Sequence, residues 1–265
     1  MAQKSRRPDV QTVAMKDIGA AISAGVGDFR KAPMFGIMFA ALFVLGGWLL
    51  IALLNVFKLP FLAYPLAAGF AFMAPFAAIG FYAISARLES GQTPSWNSIF
   101  AGTRKASRGD LRWMALVTGF ALIIWMDIAA FLFFIFVGFS GFGADFFEKL
   151  LTTPSGLTFL FMGNLIGAML AIFVFSISAV SFPMLFERDI DFVTAMVTSV
   201  RVVAANPIPM LVWCALIGVL MGLSILSGLL GLLIVLPIIG HATWHLYRHA
   251  VGPQTTDHPA ASVTA

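Results

Sequence analysis

Two groups of side chains in this sequence could do chemistry, and both lie within long apolar stretches. Asp127 is the one acidic residue deep inside such a stretch, and Asn164 lies inside the next. His241, His245 and His249 recur every four residues near the end of the chain. A carboxylate inside a membrane can carry a proton or a cation, and histidines at this spacing can hold a metal ion or haem. The helices that position these residues therefore decide what they can do.

The apolar stretches are long enough to be membrane spans. Hydrophobic residues make up 60% of the chain and charged residues 11%. A helix crosses the hydrocarbon core of a bilayer with about 20 apolar residues. Five tracts meet this length: Met34–Phe57, Phe61–Ala86, Trp113–Phe139, Leu157–Leu185 and Pro209–Tyr247.

The last tract is nearly twice as long as one crossing of about 20 residues requires. Ser224, Ser227, Gly228 and Gly231 lie near its middle and favour a turn over a continued helix. We therefore predict two helices here, Pro209–Leu226 and Leu229–Arg248. The predicted fold is an all-α bundle of six transmembrane helices.

The basic residues predict the orientation of this bundle. All of the 16 lysines and arginines except Lys58 and Lys149 fall on one side of the six-helix arrangement. By the positive-inside rule, both termini are predicted to be cytoplasmic. A five-helix arrangement would instead place Arg248 outside. Because these residues flank spans, the net charge of +4 does not indicate a nucleic-acid partner.

A shorter segment with helical periodicity precedes each pair of spans. These segments are Val13–Phe29, Trp96–Ser107 and Phe192–Val203. Each is followed by a helix breaker or a polar cluster and then by an apolar run. We predict three parallel units, each an interfacial helix plus a two-span hairpin, at residues 11–90, 92–188 and 190–249. Residues 1–10 and 250–265 are predicted to be disordered tails.

Asp127 and Asn164 are predicted to lie at similar depths on adjacent antiparallel spans. By helical rise, Asp127 lies roughly 22 Å from Arg112, past the midplane. A charge at the centre of a span costs about 2.5–3.5 kcal/mol, so the carboxyl group needs a partner. It is either a proton or cation site, or a neutral acid that hydrogen-bonds Asn164 and locks the hairpin. We favour the second, because no other intramembrane acid or base lies nearby in the sequence.

The histidines share one face of the last predicted helix, since successive ones differ by only about 40°. A metal there would use two of them with a third ligand from the cytoplasmic face, where the carboxylates are Glu187, Asp189 and Asp191. The alternative is an interfacial helix end whose histidines bond carbonyl groups or lipid. We favour this alternative.

Two further observations argue against metal or haem at this face. Cys214 is the single cysteine, so a thiolate cluster and an intramolecular disulfide are both excluded. Haem held by histidines from two helices would need an opposing helix, yet every histidine except His258 is on this one. We predict neither stoichiometric transition metal nor haem.

Three segments carry a resemblance to a known family. Phe186–Met196 reads Phe-Glu-Arg-Asp-Ile-Asp-Phe-Val-Thr-Ala-Met, and Gly240–Arg248 reads Gly-His-Ala-Thr-Trp-His-Leu-Tyr-Arg. Together with Asp28–Pro33, they closely resemble a family of bacterial integral-membrane proteins catalogued as domain of unknown function 2189. The resemblance covers about residues 15–250 and implies a six-span protein of the bacterial inner membrane. Some members carry a label relating them to cytochrome c oxidase subunit I, but the Trp-x-His-His pair of a haem–copper site is absent here.

The sequence contains no catalytic motif, nucleotide-binding loop or Ser/His/Asp arrangement suited to nucleophilic catalysis. Because intramembrane polar residues are few, we favour a non-enzymatic accessory or scaffolding component of an inner-membrane assembly, with the lipid bilayer and other membrane proteins as partners. The second hypothesis is a transporter or channel for a small or lipid-like solute along a pseudo-threefold axis. A metal- or haem-binding redox protein is the third.

Overall fold

The structure, a computed structural model, describes residues 8–56, 78–107, 109–138 and 146–252, and these ranges are helical without a β-strand. In chain order the helices are α1 (Met15–Lys31), α2 (Pro33–Val56), α3 (residues 78–89), α4 (Trp96–Ser107), α5 (Leu111–Phe136), α6 (Phe146–Thr152), α7 (Pro154–Ser178), α8 (Ser181–Glu187), α9 (Phe192–Ala205), α10 (Pro207–Leu226) and α11 (Leu232–Ala250). The predicted all-α class is confirmed. The predicted tails lie outside the described residues, apart from their inner ends.

Four helical segments in the described ranges are long and apolar enough to cross a membrane. They are Pro33–Leu53, Leu111–Phe136, Pro154–Glu187 and Pro207–Leu226. They correspond to the first, third, fourth and fifth predicted spans. The predicted second span lies mostly outside the described residues, and its last part forms α3. The predicted sixth span is α11, whose second half carries the three histidines and Arg248 and is therefore less apolar than the four.

The predicted break in the last apolar tract is confirmed. Helix α10 ends at Leu226 and α11 begins at Leu232. In the turn between these helices, Gly228 has a φ angle of 68° and Leu229 one of 72°. Two successive left-handed residues cannot continue a right-handed helix, so the chain reverses here.

The fourth predicted span, Leu157–Leu185, is divided in the structure. Helix α7 stops at Ser178, and α8 restarts the helix at Ser181. Pro183 lies in the first turn of α8. A proline ring clashes with the carbonyl four residues earlier in a continuous helix, which explains why the helix ends before it.

The three predicted amphipathic helices form as α1, α4 and α9, within two residues of the predicted bounds. Side-chain caps help to begin two of them. Asp17 accepts a hydrogen bond from the Ala14 backbone N–H at 2.7 Å, and Asp191 accepts one from the Thr194 N–H at 2.8 Å. Such caps satisfy N–H groups that have no partner inside the helix.

Helices α1 and α2 lie one after the other along the length of α11, antiparallel to it. Asp17 near the start of α1 contacts His249, and Gly25 meets the backbone of Ala242. Further along, in α2, Gly36 lies against Pro237 and Gly47 against Leu229. The Trp48 indole N–H then donates to the Gly228 carbonyl at 2.8 Å, at the turn before α11. Between α1 and α2 the helix is interrupted at Ala32, just before Pro33.

The buried core lies at the end of the bundle where α1, α8, α9 and the C-terminal half of α11 meet. Its largest fully buried side chains include Met184, Met210, Trp213, Trp244 and Tyr247. The four candidate spans instead expose many large apolar side chains. Such surfaces suit contact with lipid tails or with other apolar helices.

The two ends of the described chain meet beside this core. Val10 and Val251 form an isolated antiparallel bridge, and Gln11 N–H donates to the Ala250 carbonyl at 2.9 Å. Asn206, just before α10, accepts a hydrogen bond from Val13 N–H at 2.7 Å. Its amide group also donates to the Gln11 carbonyl at 3.1 Å. The start of α10 and the end of α11 are therefore both fixed to the N-terminal segment.

We predict that Gly25→Ala destabilises the protein, whereas Gly27→Ala does not. A Cβ at Gly25 would lie 2.7 Å from Ala242 N and 2.8 Å from Ile238 O, and these backbone atoms cannot move aside. Overpacking of this kind costs about 1–3 kcal/mol. A Cβ at Gly27, on the same helix, meets nothing within 4 Å, so the helix propensity of alanine should raise stability slightly. Thermal unfolding of both variants in detergent measures the difference, and equal melting temperatures would refute the close approach of α1 to α11.

Candidate functional site

The histidine face of α11 lies against carboxylates of α1. His245 Nε2 is 2.7 Å from Asp28 Oδ2, and His249 Nε2 is 3.2 Å from Asp17 Oδ2. The first pair is largely enclosed, since the Asp28 side chain is only 7% exposed. The second pair is at the surface, because the His249 side chain is 51% exposed. The partners of His245 and His249 are therefore acids of a helix more than 200 residues away in sequence.

The three carboxylates considered as third ligands for a metal at this face have other surroundings than the histidines. Glu187 accepts hydrogen bonds from Tyr247 Oη–H and, at 2.6 Å, from Arg248. Asp189 is exposed, and Asp191 caps α9. Glu187 ends α8, and α8 packs on the side of α11 that carries Tyr247 and Arg248. In the described ranges, no group of three or more His, Cys, Asp or Glu residues could hold a metal ion.

A second set of polar contacts ties the ends of α3 and α8 to α11. Glu89, at the end of α3, accepts hydrogen bonds from Trp244 Nε1 at 3.0 Å and Arg248 Nε at 3.1 Å. Arg188 donates through Nε to Tyr247 Oη at 2.8 Å and through its guanidinium to the Gly252 carbonyl at 2.5 Å. We call these contacts, together with the His–Asp pairs, the polar layer. It joins α1, α3, α8 and α11 at one end of the bundle.

His241 is the most enclosed of the three histidines, and its hydrogen bonds indicate its tautomer. Its Nδ1 is 2.8 Å from Ser85 Oγ, and Ser85 also hydrogen-bonds Asp28. A carboxylate can only accept, so the single hydroxyl proton of Ser85 goes to Asp28 and Ser85 accepts from His241 Nδ1–H. His241 Nε2 then carries a lone pair. Among the described residues it has no hydrogen-bond partner and is buried, in a ring that lies edge-on to Phe81 at 5.6 Å between centroids.

Asp28 is held in its charged form. Burial alone would raise its pKa, but hydrogen bonds with His245 and Ser85 and electrostatic interaction with the two nearby histidines together lower the pKa below 3.8. Asp28, Ser85 and His241 thus form a row of hydrogen-bonded side chains that includes groups able to bind a proton. Ser85 and His241 are both fully buried.

Asp127 and Asn164 lie on α5 and α7, which pack along each other. Both side chains are exposed on the surface of these helices. The Asn164 amide donates one hydrogen bond to the Leu160 carbonyl of its own helix at 2.7 Å. Its other N–H and its carbonyl group are left for further partners. The bond between Asp127 and Asn164 stays a prediction.

Sequence reasoning missed Asp17 and Asp28 as the partners of the histidines. Their spacing was a signal in the sequence. Asp17 and Asp28 are eleven residues apart, and residues at that spacing return to nearly the same side of a helix after three turns. Two acids at that spacing in an amphipathic segment can face a row of histidines. Nothing in the sequence showed that α1 would lie on α11 rather than on another helix.

The apolar helices and their exposed faces define an integral membrane protein. Residues 63–187 match the model of a family described as predicted integral membrane protein (DUF2189). This is the family that the sequence resembles, and the match confirms that resemblance over these residues. No curated protein and no solved structure matches the chain significantly.

The charged state of Asp28 predicts an acid-sensitive stability. A carboxyl group whose pKa is lowered by folding stabilises the protein above its unfolded value near 3.8, and this contribution is lost as the pH falls through and below that value. Asp28→Asn should cost about 1–3 kcal/mol at pH 7, because the hydrogen bonds to a charged acceptor are replaced. It should then lose less stability than the wild type between pH 5 and 3.

Melting curves of purified protein in detergent across this range measure the effect. Asp189→Asn removes an exposed carboxylate from the α8–α9 connection and serves as the matched control, which should follow the wild-type curve. An unchanged acid response in Asp28→Asn would show that the Asp28–His245 pair does not contribute to stability.

Proposed function

We propose that the protein is a six-span protein of the bacterial inner membrane, with both termini in the cytoplasm, and acts as a non-enzymatic accessory or scaffolding component of a membrane assembly. The observation that carries this proposal is that the polar side chains form hydrogen bonds and ion pairs with one another. His245, Arg248 and Glu187 are engaged within the polar layer, while the candidate spans present apolar surface outward. The polar layer holds the helices together, and the apolar sides of the molecule can contact lipid or other helices.

The meeting of the two chain ends supports an even number of crossings. Because Val10 lies beside Val251, the described chain begins and ends on the same side of the bundle. Helix α10, a candidate span, begins beside Val13, and α11 returns to Val10. The 19 residues of α11 rise about 28 Å, close to the thickness of the hydrocarbon core. Four candidate spans, α11 and the segment ending in α3 make six, in the three proposed units.

The scarcity of polar groups along the spans supports a scaffold over a solute pathway. A route for a polar solute needs several lining groups that replace its hydration shell. Asp127 and Asn164 are the charged and amide side chains of α5 and α7 between Arg112 and the end of α7, and both are on the outer surface of the helix pair. They suit a contact with a neighbouring helix, where hydrogen bonds supplement close packing.

One observation favours the second candidate, a transporter or channel for a small or lipid-like solute. Asp28, Ser85 and His241 form a hydrogen-bonded chain that ends in an unpartnered, buried ring nitrogen. Chains of protonatable groups within membrane proteins commonly mark proton pathways. In a scaffold the same chain only fixes α1, α3 and α11 to one another.

We expect reporter fusions to give a six-span topology. Fusions after Lys58, Lys149 and Leu226 should report the periplasmic side, and a fusion after Arg248 should report the cytoplasm, because of the distribution of basic residues. Paired reporters that are active on opposite sides of the membrane provide the internal control. A C-terminus that reports the periplasmic side, with the other three fusions also periplasmic, would contradict the sixth span.

Purification in mild detergent distinguishes the scaffold from the transporter. We expect a constant set of inner-membrane proteins to co-purify with the wild type and equally with His241→Gln, which removes the ionisable ring. We also expect no stoichiometric transition metal or haem by elemental analysis and absorption spectroscopy, because His245 and His249 are already held by carboxylates. Proteoliposomes should show no proton flux above empty vesicles. A flux that His241→Gln abolishes and Asp189→Asn keeps would establish the transporter instead.

A further inference from the structure

An open cleft of about 340 Å³ lies between α3, α4 and α8. Its floor is apolar and includes Ala83, Gly102 and Phe186. Arg87, Gln92 and Ser98 supply the polar groups of its lining. This volume falls at the lower end of the range for small-molecule sites, and the combination of an apolar floor with a few polar groups is typical of them.

Arg87 is the charged group of the cleft, and its charge is available. Its guanidinium donates to Gln92 Oε1 at 3.0 Å, which holds it in place without neutralising it. Within the ranges that the structure describes, no carboxylate forms an ion pair with Arg87, in contrast to Arg188 and Arg248. The remaining N–H donors of a guanidinium match the geometry of a phosphate group and can bind it through two parallel hydrogen bonds.

The cleft lies at the level of the polar layer. Arg87 precedes Glu89 by two residues at the end of α3, and Phe186 precedes Glu187 at the end of α8. Both acids contact Arg248 in the polar layer. The third side is α4, an amphipathic helix with Ile99 buried and Phe100 exposed. A ligand here meets a cation at the aqueous boundary and an apolar floor beneath it.

We propose that this cleft binds an anionic phospholipid, with the headgroup phosphate at Arg87 and the glycerol and first acyl carbons against Phe186 and Ala83. In the proposed orientation the lipid belongs to the cytoplasmic leaflet. The binding itself requires only the cleft and the bilayer, so it stands or fails separately from the scaffold function.

Gly102 offers a direct way to fill the cleft. A Cβ at this position would lie 3.7–3.8 Å from Phe186 and Ala83, which is ordinary contact distance. Alanine therefore fits without strain and improves helix propensity, whereas the longer side chain of leucine occupies the space above Phe186. Gly102→Ala and Gly102→Leu thus form a matched pair in which only the second blocks the cleft.

Native mass spectrometry of the full-length protein in mild detergent tests the proposal, with phosphatidylglycerol and phosphatidylcholine titrated separately. We expect tight binding of one phosphatidylglycerol. Phosphatidylcholine should bind more weakly, because its positively charged choline is repelled by Arg87. Arg87→Gln should weaken phosphatidylglycerol binding about tenfold, as expected for loss of a charged hydrogen bond. Gly102→Leu should weaken it at least as much, and Gly102→Ala should match the wild type. Arg104→Gln removes an exposed charge of α4 that does not line the cleft and should change binding less than twofold.

Three outcomes would overturn the proposal. An equal loss in Arg104→Gln and Arg87→Gln would show attraction by the charged surface as a whole. Unchanged binding in Gly102→Leu, with a melting temperature that confirms folding, would place the lipid elsewhere. Displacement of phosphatidylglycerol by glycerol phosphate at equal concentration would identify a site for soluble phosphate esters. If Gly102→Leu does not fold, Arg87→Gln against Arg104→Gln decides the result.

Discussion

The close pairing of α1 with α11 is the contact on which the rest of the described structure depends. Gly25 lets the two backbones approach to a distance that no side chain would permit. This approach brings Asp28 within 2.7 Å of His245 and, through Ser85, next to His241. A carboxylate enclosed in this way would be costly without partners, and it is tolerated because it is paired and hydrogen-bonded. The same pairing places the two ends of the described chain side by side.

Polar and apolar interactions are separated along the bundle, and the surroundings explain the separation. At one end, ionic contacts join α1, α3, α8 and α11 and enclose aromatic side chains such as Trp244 and Tyr247. Along the candidate spans, the exposed residues are large and apolar. In a bilayer these surfaces gain nothing by packing on each other instead of on lipid, so close contacts there need small residues or hydrogen bonds. The polar layer therefore carries much of the specificity of the fold.

The candidate site was predictable in part. The shared face of His241, His245 and His249 follows from their spacing, and their position at a helix end follows from the apolar run before them. The nature of their contacts did not follow. Of the carboxylates considered as further ligands, Glu187 binds Tyr247 and Arg248 on another side of α11, and Asp191 caps α9. The actual partners come from α1, whose amphipathic pattern suggested an interfacial helix and not a packed neighbour of α11.

The sequence by itself determined the elements of this protein: the all-helical class, four of the spans, the three amphipathic helices and the turn after Leu226. These depend on local periodicity, helix breakers and apolar length, all of which are properties of neighbouring residues. Only the tertiary structure decided that α1 lies on α11 and that Asp28 meets His245, 217 residues away in sequence. Many helix contacts are possible. The pairing of α1 with α11 buries opposite charges next to each other and leaves the apolar faces of the candidate spans outward. That choice depends on all the helices at once, because a buried charge or polar group is costly unless the packing of several helices gives it a partner.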